Sequence, residues 1–339
     1  LISSIMQIEH GSKLNTFTIG LKDKDFDESK YARKIAQHLN TNHNEYLLLS
    51  NEVQKLIPSI TSIYDEPFAD SSQIPTAILS NFARKKVTVA LSGDGGDELF
   101  GGYNRYFWSN RIWRKVGWLP LQVRKEIGKV LLKLPVPLLS NFMNIMNRLF
   151  FGSDGISQFG DKVHKFARRL NKVEDLDDLY FSLITEWENS SKLVTNFKNT
   201  IPYFEKTIIP NYIDTFEEKM MYLDSISYLP DDILCKVDRA AMSVGLETRI
   251  PMLDHRVVEL SWRIPLDMKI YKNKGKLILK KILKDYIPLD LIERPKMGFS
   301  IPLAEWLRTS LKDFTNDQLE HSKIKHDGYL DSDIVNQTW

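Results

Sequence analysis

The sequence predicts an α/β protein, with a parallel sheet in its first third and a largely helical region after it. Two observations carry that reading. Up to about residue 100, short apolar runs alternate with segments of helical period, and strands separated by helices pair in parallel. Beyond Tyr103 the strand signals fade while the helical period continues. A third observation marks where chemistry is expected. In "VALSGDGGDELFGGY", Val89 to Tyr103, five glycines and three carboxylates fill the ten positions from Gly93 to Gly102. They follow an apolar run, and ligands of open parallel sheets bind beyond the carboxyl ends of the strands.

Each element has its own signal. "LISSIMQIEH" opens on an amphipathic helical pattern. "NTFTIGL" (Asn15 to Leu21) and "EYLLLS" (Glu45 to Ser50) read as short buried strands. Between them, "DESKYARKIAQHLN" spaces Tyr31, Ile35 and Leu39 for a helix, with Asp27 as its N-cap. "IPTAILSNFARKK" predicts another helix and "KVTVALSG" (Lys86 to Gly93) a third strand. From Asn104 to Phe150 the chain is basic, aromatic and apolar, with Glu126 its only acid. Trp108, Trp113 and Trp118 among arginines could stack on nucleic acid. Amphipathic helices packed on their own core explain the same pattern and are preferred. From Asp161 onward the chain reads as helix broken by proline and glycine.

The 339 residues are 42% hydrophobic and 27% charged, as a soluble globular chain with a substantial core would be. A net charge of +2 gives no global field toward nucleic acid or membrane. The single cysteine, Cys235, excludes a disulfide framework and a cysteine zinc site, which fits a reducing, cytoplasmic setting. No run approaches the ~20 apolar residues of a membrane span.

The glycine-rich stretch fits some phosphate loops badly. A Walker loop needs a lysine after its glycines, and none follows. A Rossmann fingerprint is matched only in approximate spacing, and its carboxylates would repel a pyrophosphate. What fits is bare backbone lying against a nucleotide while acids hold magnesium: glycine permits close approach, and a hard oxygen ligand such as Asp97 suits Mg²⁺. "DKDFDE" (Asp23 to Glu28) starts like a calcium loop but has Glu28 where glycine is needed and Lys34 where glutamate is needed.

"YLPDDILCKVDRAAMSVGLETRIPMLD" (Tyr228 to Asp254) is the second dense stretch. Pro230 suits a first helical position, placing Asp231 and Asp232 in the first turn. Asp232, Lys236 and Arg239 then share a face, where an i,i+4 ion pair is the simplest reading. "GKLILKK" and "ERPKMGF" supply Lys276 and Lys296.

Together, "TFTIGL", "YDEPFADSS", "LSGDGGDELFGGY", "KVDRAAMSVGLETRIPMLD" and "ERPKMGFSIPL" resemble, in order and spacing, the synthetase domain of glutamine-dependent asparagine synthetases. The resemblance implies a fold of the adenine-nucleotide α-hydrolase-like type. It implies a nucleotide-binding part over residues 1–105 and a mostly helical part over 106–339 that completes the site. It also implies ATP and Mg²⁺: a carboxylate is activated as an acyl-adenylate, pyrophosphate leaves, and ammonia from a glutaminase domain of the same full-length chain attacks. By position, the Ile19 backbone should meet the adenine, and Ser92 and Gly93 should line the nucleotide. Asp94 should sit by the reacting carboxylate, and Asp97 should hold Mg²⁺. Lys276 and Lys296 should face the phosphates, Lys296 stabilising the transition state. The family's acid near the start of the "DR" helix aligns with Ile233, so Asp232 takes that role with a small shift. Where the best-known branch has threonines and an arginine for its amino-acid substrate, this chain has Pro67, Phe68 and Asp70.

Aspartate is therefore the first acceptor to test, and a carboxylate on a sugar or peptide precursor the second. A non-catalytic interaction module is the rival from another class. No nucleic acid or membrane partner is expected, and a homodimer is left open. The family's pyrophosphate loop should end just before Leu1, so the chain reads as a fragment cut at both ends. Alone it is expected to make no amide.

Overall fold

The computed structural model describes residues 1–21, 27–139, 141, 159–185, 187, 190–197, 207–292 and 301–339. They form an α/β protein rich in helix, with short parallel strands. By contacts the chain groups into two compact units. One comprises Leu1–Tyr103, Ser191–Ile213 and Met221–Trp339; the other comprises Asn104–Ser190 and Asp214–Met220.

In the first unit, β1 (Asn15–Leu21) and β2 (Asn42–Leu48) pair in parallel, with Asn15 opposite Asn42 and Leu21 opposite Leu48. β2 starts three residues before the expected Glu45. Its polar first residues are extended because they ladder with the start of β1, and Asn42 donates to the Asn15 side chain at 2.6 Å. The crossover is α2 (Ser29–His38). Its N-cap is Glu28 rather than the expected Asp27, but the Asp27 carboxylate still accepts from the Ser29 N–H at 3.0 Å. After α3 (Ser50–Ile63) comes α4 (Gln73–Arg84), whose first turn is almost wholly buried. The core gathers Ile19, Leu21, Leu48, Val53, Ile74, Ile301 and Leu311. Each such aliphatic side chain contributes about 1.5–3 kcal/mol by leaving water.

The third strand, β3, is shorter than expected, Val89–Leu91, and among the described residues it does not join β1 and β2 in one sheet but belongs to a second, two-stranded sheet. It pairs in parallel with β4 (Glu247–Arg249), a strand the sequence reading missed, since "ETR" carries no apolar pattern. Ser92 N–H extends the ladder to the Arg249 carbonyl at 2.9 Å. Residues from the second half of the chain thus fix the start of the glycine-rich loop.

The second unit is helical among its described residues: α6 (Asn104–Val116), α7 (Leu121–Lys133), α8 (Phe159–Leu170) and α9 (Leu176–Ile184). (The short helix α5, Gly96–Phe100, lies in the loop described next.) Trp113 packs under the Arg124 guanidinium, 4.9 Å from ring centroid to Cζ, whereas Trp108 and Trp118 are exposed. Arg124 is buried and donates to the Leu119 and Val173 carbonyls. Lys219 and Asp177 close an ion pair at 2.6 Å. Among the described residues no helix is long and apolar enough to cross a membrane.

Candidate active site

The loop after β3 turns into α5 (Gly96–Phe100), which ends at Gly101. Gly101 has φ +68°, where any side chain is strained, and a Cβ there would also strike Ile270 at 2.4 Å. Among the described residues, its chain neighbours aside, no atom lies within 4 Å of where a Gly93 Cβ would sit, so the bareness of that residue serves no packing against them. The Ser92 hydroxyl donates to the Asp94 carboxylate.

Asp97 stands on α5 with its side chain about one-quarter exposed, and the Lys276 ammonium lies 2.9 Å from it. Lys276 reaches it by an unusual route. It has φ +56° and caps the helix Leu277–Leu283, and its N–H donates to the Phe100 carbonyl at 3.1 Å. The preceding residue must be glycine: a Cβ on Gly275 would lie 2.0 Å from the Gly101 carbonyl oxygen. Lysine and carboxylate, 179 positions apart in sequence, are thus clamped together by backbone contact.

Glu98, beside Asp97, is 1% exposed. Burial pushes its carboxyl above the ordinary range, and the Tyr103 hydroxyl, donating at 2.7 Å, only partly opposes this. The Tyr103 hydroxyl is itself pushed up, by burial first and by Glu98 next.

A second cluster forms where a π-helical turn, Leu229–Leu234, runs into α10 (Cys235–Met242). Asp231 and Asp232 lie in the first turn, as Pro230 predicts. The expected i,i+4 pair is not the dominant contact. Lys236 donates to Asp70 at 2.6 Å, while its nitrogen is 4.0 Å from Asp232. Asp70 is held in turn by the Ser72 N–H at 2.8 Å and the Ser72 hydroxyl at 2.7 Å, at the head of α4. Burial pushes the Asp70 carboxyl up, but the Lys236 ammonium and the Ser72 donors outweigh it and hold it below its ordinary value. The Tyr64 hydroxyl donates to the Lys236 carbonyl at 3.3 Å, and its ring stacks on Phe68 at 4.8 Å. Arg239, expected on the same face, pairs with Asp65 at 2.8 Å.

The sequence candidates therefore fall into two groups. Ser92 with Asp94, and Asp97 with Lys276, belong to the loop after β3; Asp232 belongs to the Asp70–Lys236 cluster. The Ile19 side chain is in the core of β1, and Lys296 lies outside the described residues. A concavity of about 590 Å³ opens at the carboxyl ends of β1 and β2, lined in part by Leu21, Leu48, Ser50, Pro302 and Trp306. Sequence reasoning missed the Lys236–Asp70 pair and the role of Gly275. The glycine directly before Lys276 was the available signal for the latter.

Comparison with known proteins decides what this arrangement belongs to. The family model described as asparagine synthase matches residues 1–339. The chain belongs to the asparagine synthase family. Asparagine synthetase [glutamine-hydrolyzing] 1 of Bacillus subtilis is 29% identical over 343 residues, covering 99% of this chain and 49% of its own. The asparagine synthetase [glutamine-hydrolyzing] of Bos taurus is 31% identical over 336 residues, covering 96% of this chain and 41% of its own. The chain spans about half the length of the curated relatives it matches. Among its described residues, no group of three or more His, Cys, Asp or Glu side chains is placed to hold a metal.

Proposed function

We propose that this chain is the synthetase part of an ATP- and Mg²⁺-dependent amide-forming ligase, with an adenine-nucleotide α-hydrolase-like fold, acting in the cytoplasm. The observation that carries the reading is the Asp97–Lys276 pair, clamped onto a glycine-rich loop at the carboxyl end of a parallel strand. The residues fit a nucleotide: Ser92 and Gly93 offer a hydroxyl and uncrowded backbone, and Lys276 offers a cation for phosphate. They also fit a Mg²⁺ ion that keeps several waters, since such an ion needs only one or two carboxylates beside the phosphates. Asp97 would hold it.

In the proposed reaction a substrate carboxylate oxygen attacks the α-phosphorus of ATP, and pyrophosphate leaves. Ammonia from a glutaminase domain then forms the C–N bond as the C–O bond to AMP breaks, and AMP takes the electron pair. Asp94 sits beside the reacting carboxylate, and the Ile19 backbone meets the adenine. Asp232 receives the proton that the nitrogen loses. Lys276 and Lys296 stabilise charge on the departing phosphates, as fixed cations do where charge develops. Aspartate is the proposed acceptor and asparagine the product. A second acceptor class, another carboxylate on a sugar or peptide precursor, is favoured by one observation. Asp70 is engaged by Lys236, and Phe68 by Tyr64, where a cation for an α-carboxylate was sought.

ATP–pyrophosphate exchange in the complete protein, across a panel of carboxylic acids, tests both. Exchange stimulated by aspartate supports the first acceptor, and exchange stimulated by another acid the second. No exchange with any acid defeats the ligase reading. Lys296→Ala should lose about 10²-fold in kcat, the scale of one preorganised donor. A change confined to KM would reduce Lys296 to a binding role.

A further inference from the structure

We infer that Lys236 is a positioning residue for Asp232, and that Asp70 is the group that sets Lys236 in place. The inference rests on the ligase reading above and adds to it two residues which that reading does not use.

Lys236 is 7% exposed, and its ammonium has a hydrogen-bonded partner on another element. On an isolated helix its natural partner would be Asp232, one turn earlier. Here the π-helical turn precedes it, and Asp70 takes the contact at 2.6 Å. Asp70 is itself fixed by two donors from Ser72, so the ammonium is tied to the buried head of α4. It is left at 4.0 Å from the Asp232 carboxylate, close enough for a strong field and too far for a hydrogen bond. A carboxylate that must accept a proton from the attacking nitrogen has to be ionised first. A fixed neighbouring ammonium favours the ionised form without itself hydrogen-bonding to it. Among the described residues, the titratable groups around the cluster include Tyr64, Asp70, Asp232 and Cys235, with Lys236 as the cation; Arg239 and Asp65 pair beside it. In the step, the nitrogen forms its bond to the acyl carbon, AMP leaves, and one N–H proton passes to the Asp232 carboxylate.

The test uses the complete protein with ammonium as nitrogen donor, comparing Lys236→Met, Lys236→Arg and the double variant Asp70→Asn/Lys236→Met. Two rates are followed: ATP–pyrophosphate exchange, which precedes nitrogen attack, and amide formation. Lys236→Met should lower amide formation at least about 10-fold more than exchange, and should move the acid limb of the kcat profile up by roughly one pH unit. Lys236→Arg should keep the limb near its wild-type position. The double variant should regain thermal stability but not the wild-type limb. An unmoved limb in Lys236→Met, or a double variant that regains both stability and the wild-type profile, overturns the positioning role and leaves the ligase reading standing. Absence of exchange in the wild type overturns both.

Discussion

Lys236–Asp70 and Lys276–Asp97 are separated by 2.6 and 2.9 Å, yet they differ in burial. In the first pair the lysine side chain is 9% exposed and the aspartate 21%; in the second the values are 31% and 25%. A buried ion pair cannot exchange partners without stranding a charge, and removing one member costs about 3–5 kcal/mol. A pair in contact with water contributes about 0–1 kcal/mol and can change partners. The first pair therefore fixes two elements against each other. The second holds its charges where a phosphate or a metal could take them over.

The largest effect should come from the half-buried pair, and in activity rather than stability. Asp97→Asn in the complete protein should lower Mg²⁺-dependent ATP–pyrophosphate exchange by about 10³-fold, the upper scale for one preorganised electrostatic group. Its Tm should barely move, since the pair is worth at most about 1 kcal/mol. Wild-type exchange would remove Asp97 from the metal site.

The buried pair should respond in the opposite way. Asp70→Asn should cost about 3 kcal/mol in urea unfolding at pH 7. Because the folded-state carboxyl is held below its ordinary value, its contribution is complete above the unfolded value of ~3.9 and fades as pH falls through the folded one. The gap between variant and wild type should close on acidification. A gap independent of pH would mean that lost packing, not charge, accounts for it.

The same contrast shows what a sequence can disclose. β1, α2, α4 and the glycine-rich loop were legible because their signals are local: an apolar run, a helical period, a density of glycine and acid. β4 was not, because Glu247, Thr248 and Arg249 become a strand only through pairing with Val89–Leu91. Residue type points to Asp27 as the cap, and the chain caps one residue later while keeping the Asp27 hydrogen bond. Helical spacing offers Lys236 the acid one turn earlier, Asp232, whereas burial gives it Asp70, 166 positions away. The candidate residues could be named from sequence; their grouping into two clusters could not, since it depends on long-range contacts.

A smaller effect should come from the clamp that delivers Lys276. Gly275→Ala forces a methyl group to within 2.0 Å of the Gly101 carbonyl oxygen, so one backbone segment must shift. A cost of about 1–3 kcal/mol is expected, the range for overpacking. Loss of exchange should exceed that of Lys272→Ala, a lysine in the preceding Tyr271–Lys274 turn. Equal losses would mean that the clamp does not set Lys276.

The smallest effect tests the buried acid beside Asp97. Burial raises the Glu98 carboxyl in the folded state, with Asp97 and Asp224 adding to it. A raised carboxyl destabilises the fold when ionised, so stability should increase as pH falls through the folded value, until the unfolded value of ~4.3 is reached. This is the reverse of Asp70. Glu98→Gln keeps an oxygen to accept from Tyr103 and removes the charge. At pH 8 the variant should melt a few degrees above wild type at most. Near pH 4 the two should melt together, whereas the Asp70→Asn variant should approach wild type from below. A Glu98→Gln protein that melts below wild type at pH 8 would show that donors around Glu98 hold it as a carboxylate, and that burial does not control it.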